Sequence, residues 1–175
     1  ILPALNNLET HKYIGAVSFH SWRGCDDVTL KKWADAAKAI NVPLLVGEGS
    51  TDAAAHGYAE IFNESTFALY EINLYTRICA ICQPLSILQW QLTSDYSLLW
   101  GDGIYGSKGP LRPTQRFWNI KQLASTPADA LAIPVRSGKK NVNCAAFGNM
   151  VRGEYVVHMV NNGAECEAVI SGIPT

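Results

Sequence analysis

The hydrophobic pattern of residues 1–127 predicts strands that alternate with helices. A run rich in β-branched and aromatic residues predicts a first strand over residues 13–22. A short continuous apolar run at residues 42–46 predicts a second strand, buried on both faces. A third strand is predicted at residues 85–92. The helices are predicted at residues 28–40, 64–82 and 114–124.

This order, a strand followed by a helix three times, predicts parallel strands joined by right-handed crossovers. The fold class predicted for residues 1–127 is therefore α/β. Three such units are too few to close an eight-stranded barrel, which needs roughly 250 residues. They belong either to a smaller open sheet or to the C-terminal part of a larger protein.

The pattern changes after Pro127 to short strands with alternating polar and apolar residues. The pair Asn162-Gly163 is a strong hairpin signal between the last two of these strands. We therefore predict a small antiparallel β domain, a partial sandwich, over residues 128–175. Its strands are predicted at residues 130–135, 142–147, 155–160 and 165–170.

Composition narrows the classes of function. The chain has 175 residues and a formal net charge of −1, and it has no run rich in Lys or Arg, which argues against a nucleic-acid partner. No apolar stretch reaches the roughly 18–20 residues of a membrane span, so no membrane partner is expected.

The five cysteines include the pair Cys79 and Cys82, which we interpret as buried structural thiols. A disulfide between Cys144 and Cys166 is left open.

Unusual side chains stand at the ends of the three predicted parallel strands, which is where such folds bind ligands. The first strand ends with His20 and Trp22, the second with Glu48, and the third with Trp90 and Gln91. Glycines flank Glu48 and leave room for a ligand to approach. A tryptophan face, hydrogen-bonding side chains and a carboxylate together suit a sugar. Each residue also has an ordinary structural role open to it, as a helix cap or a packing residue.

The segments F-H-S-W at residues 19–22, L-L-V-G-E-G-S at residues 44–50 and I-L-Q-W-Q-L at residues 87–92 resemble a known group of enzymes. They look like strands six, seven and eight of the clan A retaining glycoside hydrolases, which are (β/α)₈ TIM barrels. The layout with a C-terminal β domain is most similar to glycoside hydrolase families 30 and 39. The resemblance covers nearly the whole chain, but only the C-terminal half of such an enzyme.

The resemblance implies a role for each candidate residue. Glu48 matches the nucleophile, His20 lines the sugar subsite at the reacting bond, and Trp90 forms its floor. Trp22 and Gln91 would be neighbours of that subsite. The implied substrate is an oligosaccharide or polysaccharide, and the implied location is extracellular, periplasmic or lysosome-like. No cofactor is expected, because the sequence has no H-E-x-x-H, P-loop or G-x-G-x-x-G motif in the required context.

One departure from the resemblance is important. A retaining glycosidase uses two carboxyl groups about 5–5.5 Å apart, and the Asn-Glu that would supply the acid/base is missing before the nucleophile strand. We interpret Asn63-Glu64 as a helix start, and nothing specifies Asp52 or Asp95. The chain alone is therefore expected to be inactive and to need a complementary N-terminal half, or to associate with itself. The alternatives are a non-catalytic carbohydrate-binding half-barrel and a small thiol protein that uses Cys79 and Cys82.

Overall fold

The computed structural model describes residues 2–51, 58–94 and 96–173 and has a mixed α/β fold. Two short helices, α1 (Leu2–Leu5) and α2 (Leu8–His11), come before the first strand. Among the described residues, no helix is both long enough and apolar enough to cross a membrane.

A three-stranded parallel sheet is the centre of the first part of the chain. Its strands are β1 (Val17–His20), β2 (Leu44–Glu48) and β3 (Ser86–Ile87), in that spatial order. The predicted parallel arrangement is therefore confirmed, and the sheet is open. Because β2 extends to Glu48, its last residue pairs with His20, the last residue of β1.

The third strand is much shorter than the predicted residues 85–92. The backbone leaves β2 after Leu88, whose N–H still donates to the carbonyl of Val46 at 2.9 Å. Gln91 then hydrogen-bonds through its backbone to Tyr96 and Leu98, at 3.3 and 3.1 Å. The backbone of Gln91 is therefore satisfied by the following loop and not by the sheet.

The three predicted helices are confirmed to within one or two residues at each end. They are α3 (Asp27–Ala39), α4 (Ser65–Cys82) and α5 (Gln115–Leu123). Asp26 caps α3, because its Oδ1 accepts the N–H of Thr29 at 3.0 Å. A 3₁₀ turn at Ala59–Asn63 leads into α4.

The main core lies where α3 and α4 cover the parallel sheet. Its fully buried members include Val17 and Val46 from the sheet, Leu30 from α3 and Ile78 from α4. Burying an aliphatic side chain of this size contributes about 1.5–3 kcal/mol. The packing fixes the sheet, and therefore the direction in which the ends of β1 and β2 project.

A two-stranded antiparallel pair, which the sequence pattern did not predict, follows the parallel sheet. It consists of β4 (Leu99–Trp100) and β5 (Arg112–Pro113). Gly101 has a φ of +111°, and a Cβ there would overlap the backbone of Pro110 and lie 3.1 Å from the Cα of Leu111. The glycine therefore allows the two sides of this loop to approach closely.

The last part of the chain forms a three-stranded antiparallel sheet. It contains β6 (Leu131–Ile133), β7 (Val142–Asn149) and β8 (Glu154–Asn161), in the order β6-β7-β8, and β7 packs against α4. The β7–β8 hairpin turns at residues 150–153, where Gly153 has a φ of +66°.

The prediction of a last strand at residues 165–170, joined by a hairpin at Asn162-Gly163, is wrong. Those residues are exposed and lack regular structure. The Asn162 side chain instead binds α4, because its Nδ2 donates to Oδ1 of Asn73 at 2.9 Å. Cys144 lies on β7 and Cys166 in the exposed segment, and both thiols are free. The two cysteines are therefore not on neighbouring strands.

Candidate functional site

Glu48 and His20 face each other at the carboxyl end of the parallel sheet. The Nδ1 of His20 lies 3.5 Å from Oε2 of Glu48. The carboxylate keeps 27% of its side-chain surface exposed, and the imidazole keeps 56%. Glu48 is therefore reachable by a ligand and also lies beside a polar ring nitrogen.

Trp22 forms an aromatic wall beside this pair. Its ring centroid lies 5.9 Å from that of His20, and its other neighbour is Tyr96, stacked at 5.6 Å with 19° between the planes. The indole Nε1 donates to the carbonyl of Gly49 at 3.3 Å. The hydrogen bond joins the indole to the residue that follows Glu48, and the two ring contacts place it between His20 and Tyr96.

The sequence pattern suggested that the two glycines beside Glu48 leave room for a ligand. The structure shows that they do not. A Cβ on Gly47 would lie 2.6 Å from Oγ of Ser18. A Cβ on Gly49 would overlap the hydroxyl of Tyr75 and lie 3.1 Å from both Cγ2 of Ile87 and the carbonyl oxygen of Leu88. The glycines therefore accommodate the neighbouring protein, because β1, β3 and α4 approach this end of β2 closely.

Trp90 and Gln91 follow β3 and do not lie within it. Trp90 is 38% exposed, its carbonyl accepts Nε2 of Gln89 at 3.0 Å, and the peptide bond that follows it is cis. The hydrogen bonds of Gln91 are made by its backbone. The segment is tied to the end of β2 because the N–H of Gly49 donates to the carbonyl of Leu88 at 2.6 Å.

A buried ion pair below the site was not predicted from the sequence. Arg116 and Glu71 are almost completely buried, and the guanidinium binds both carboxylate oxygens, at 2.9 and 2.8 Å. Arg116 also donates to the carbonyls of Tyr96 and Ser97, at 2.9 and 2.8 Å. One feature of the sequence indicates such a pair. Glu71 is the single acidic residue of the mostly apolar helix α4, and a buried charge needs a partner of opposite charge.

The other carboxylates considered as a second catalytic group have different positions. Glu64 lies directly before α4, so the interpretation of Asn63-Glu64 as a helix start is confirmed. Its carboxylate accepts hydrogen bonds from Tyr58 and Thr66. Asp52 and Asp95 lie outside the described residues.

The thiols of Cys79 and Cys82 are buried within α4, and burial raises the pKa of each to about 12. A thiol is nucleophilic as the thiolate, so both are unreactive near neutral pH. Within the described parts of the chain, no group of three or more His, Cys, Asp or Glu residues is placed to hold a metal ion. These findings favour a structural role for the pair.

A cavity of about 1010 Å³ has a lining that includes Tyr75 and Gln89 but none of the five candidate residues. It follows the outer edge of β3 and the amino ends of the strands, between α5 and β6. Its lining includes Leu44, Leu85, Ile87, Leu123 and Leu131. His20, Trp22, Glu48, Trp90 and Gln91 do not line it.

Comparison with models of known protein families and with curated proteins gives no match to this chain. A partly exposed carboxylate beside an imidazole and an aromatic wall can act as a nucleophile, can stabilise a positive centre, or can hold a polar ligand that has an apolar face.

Proposed function

We propose that this chain is the C-terminal part of a retaining glycoside hydrolase that cleaves O-glycosidic bonds, with Glu48 as the nucleophile. The observation that carries the proposal is the pairing of Glu48 with His20 at 3.5 Å beside the ring of Trp22. In such a reaction the carboxylate attacks the anomeric carbon while the glycosidic C–O bond breaks and the acid/base protonates the departing oxygen. Water, deprotonated by the same acid/base, then hydrolyses the covalent glycosyl intermediate and frees the carboxylate. The second carboxyl group, the acid/base, would come from outside the described residues.

His20 and Trp22 would orient the sugar. The imidazole can hydrogen-bond a hydroxyl, while the indole face packs on sugar C–H groups. Trp90, 38% exposed after β3, would provide a second apolar surface, and Gln91 is a weaker neighbour.

In the same proposal, β1, β2 and β3 correspond to strands six to eight of a TIM barrel, and a complementary N-terminal half supplies the others. The open parallel sheet supports this. So do the exposed apolar side chains of Leu85, before β3, and of Leu88 and Leu92, after it, because exposed apolar sheet edges associate. Alone, the chain is expected to self-associate, and a monodisperse monomer by light scattering would contradict this part.

The nucleophile is tested in the protein that contains this chain together with its complementary half. Glu48→Gln should reduce turnover of an activated aryl glycoside by several orders of magnitude, because the neutral amide cannot form the glycosyl ester. Sugar binding, measured by calorimetry, should remain. A 2-deoxy-2-fluoro aryl glycoside should label the wild-type peptide that contains Glu48.

Glu64→Gln is the matched control, since Glu64 is another glutamate of the chain that follows β2. It should retain turnover. Loss of activity in Glu64→Gln with activity kept in Glu48→Gln would reject the assignment of the nucleophile.

A second candidate function is carbohydrate binding without hydrolysis. It is favoured by the finding that, in the described part of the chain, the ionisable partner of Glu48 is a histidine and not a second carboxyl group. Calorimetric titration with oligosaccharides should then give binding that Trp22→Ala abolishes, with no hydrolysis by the complete protein. Hydrolysis that depends on Glu48 would exclude this alternative.

A further inference from the structure

Ser50, two residues after Glu48, makes a hydrogen bond with its N–H, with its carbonyl and with its hydroxyl. It is buried and has a φ of +90°. Its N–H donates to the hydroxyl of Tyr75, and its carbonyl accepts Oγ of Ser21 at 2.6 Å. Its hydroxyl accepts Nη2 of Arg116 at 3.4 Å. Residues from β1's end, α4 and α5 therefore converge on the turn that follows the candidate nucleophile.

The groups behind Ser50 form a closed ring of hydrogen bonds. The Tyr75 hydroxyl donates to Oε1 of Gln89 at 2.5 Å, and Nε2 of Gln89 donates to Oε1 of Glu71 at 3.4 Å. Glu71 binds Arg116, which returns to Ser50. Burial raises the pKa of Tyr75 well above its ordinary value, so the hydroxyl stays protonated and can donate.

Arg116 connects this ring to the other wall of the site. Its Nη1 donates to the carbonyls of Tyr96 and Ser97, and the ring of Tyr96 stacks on Trp22. One buried guanidinium therefore holds the turn after Glu48 and the support of Trp22 at the same time.

Stability alone does not account for such a ring, because a buried ion pair is often no more stabilising than apolar residues of similar volume. A catalytic group, in contrast, must be held to within about 0.5 Å by supporting hydrogen bonds. The ring provides this support at the end of β2.

We propose that Tyr75, Glu71 and Arg116 are positioning residues that fix the Gly49–Ser50 turn and thereby orient Glu48 and Trp22. The effect of these residues on catalysis rests on the proposed glycosidase function. Their effect on the Gly49–Ser50 turn does not depend on that function.

The first test uses Tyr75→Phe, which removes only the hydroxyl, in the protein that contains this chain together with its complementary half. Amide hydrogen exchange, measured by mass spectrometry on the peptide that contains Ser50, should accelerate by about tenfold or more relative to the peptides of α3. The matched control is Tyr70→Phe, on the same helix but 64% exposed, which should leave Ser50 unchanged. Unchanged exchange at Ser50 in Tyr75→Phe, or an equal acceleration throughout the sheet, would overturn the proposal.

The second test measures catalysis by the complete protein. Tyr75→Phe should lower kcat by about 10- to 100-fold, since a small displacement of a reacting group has this effect, with KM changed less than about threefold. Active sites are counted by trapping with the fluoro glycoside. A purely structural role would lower the number of sites and leave kcat per site unchanged, which would overturn the positioning role.

The two proposals fail in different ways. Activity that persists in Glu48→Gln rejects the proposed function, while exchange at Ser50 still decides whether the ring holds the turn. Normal exchange and normal kcat in Tyr75→Phe reject the positioning role even if Glu48 is the nucleophile.

Discussion

Glu48 and Glu71 are the same residue type in opposite surroundings. Glu71 is 1% exposed, and Arg116 binds both of its oxygens. Glu48 is 27% exposed and faces an imidazole at 3.5 Å. The carboxylate that is fully satisfied can act only through its protein partners, while the one that is partly exposed retains capacity for a ligand. Burial and partners, and not residue type, therefore separate the two roles.

The largest expected effect comes from breaking the buried pair. Arg116→Met should lower the free energy of unfolding by about 3–5 kcal/mol, because it leaves the Glu71 carboxylate buried without its cation. Urea unfolding measures this loss. Replacing both residues with Met should recover most of it, whereas a double variant as unstable as the single one would contradict an uncompensated charge as the cause.

A smaller loss is expected from the glycine after Glu48. Gly49→Ala should cost about 1–3 kcal/mol, because the new Cβ meets Tyr75, Ile87 and a backbone carbonyl. Gly47→Ala should cost less, since the Ser18 hydroxyl that it meets can rotate. Thermal unfolding of both variants checks the order, and a larger loss for Gly47→Ala would contradict the packing described here.

His158, one of the four histidines, makes the stability of the fold depend on pH. Burial lowers the pKa of His158 below its ordinary value of 6.5, and its Nε2 lies 2.8 Å from Oγ1 of Thr126. The unfolded chain then binds the proton more readily, so the stability contributed by neutral His158 is lost as the pH falls below about 6.5.

His158→Gln should therefore weaken the dependence of unfolding free energy on pH in mildly acidic solution. His20→Gln, at a histidine that is mostly exposed, is the control. Equal pH dependence in His158→Gln and the wild type would reject His158 as the source.

The smallest effect on stability is expected at the candidate nucleophile. Glu48→Gln should change the free energy of unfolding by no more than about 0.5 kcal/mol, because the side chain is partly solvated and loosely paired. Urea unfolding beside the Arg116→Met variant makes the comparison direct. A loss as large as that of Arg116→Met would mean that Glu48, too, is structural.

Local sequence patterns predicted most of the helices and strands, because caps and hydrophobic periodicity act between residues that are close in the chain. Helix α3 follows from its Asp26 cap and apolar stripe, and the parallel order of β1, β2 and β3 follows from strand–helix alternation. The predicted strand at residues 165–170 failed because alternation alone does not supply a neighbouring strand.

The sequence by itself determined the alternation of elements and the position of His20, Trp22 and Glu48 at strand ends, because periodicity and caps are local properties. The tertiary structure alone decided that Arg116 pairs with Glu71, 45 residues away, and that Gly49 makes room for Tyr75. Contacts between distant segments depend on how the helices pack on the sheet. That packing buries Glu71 and leaves Glu48 partly exposed.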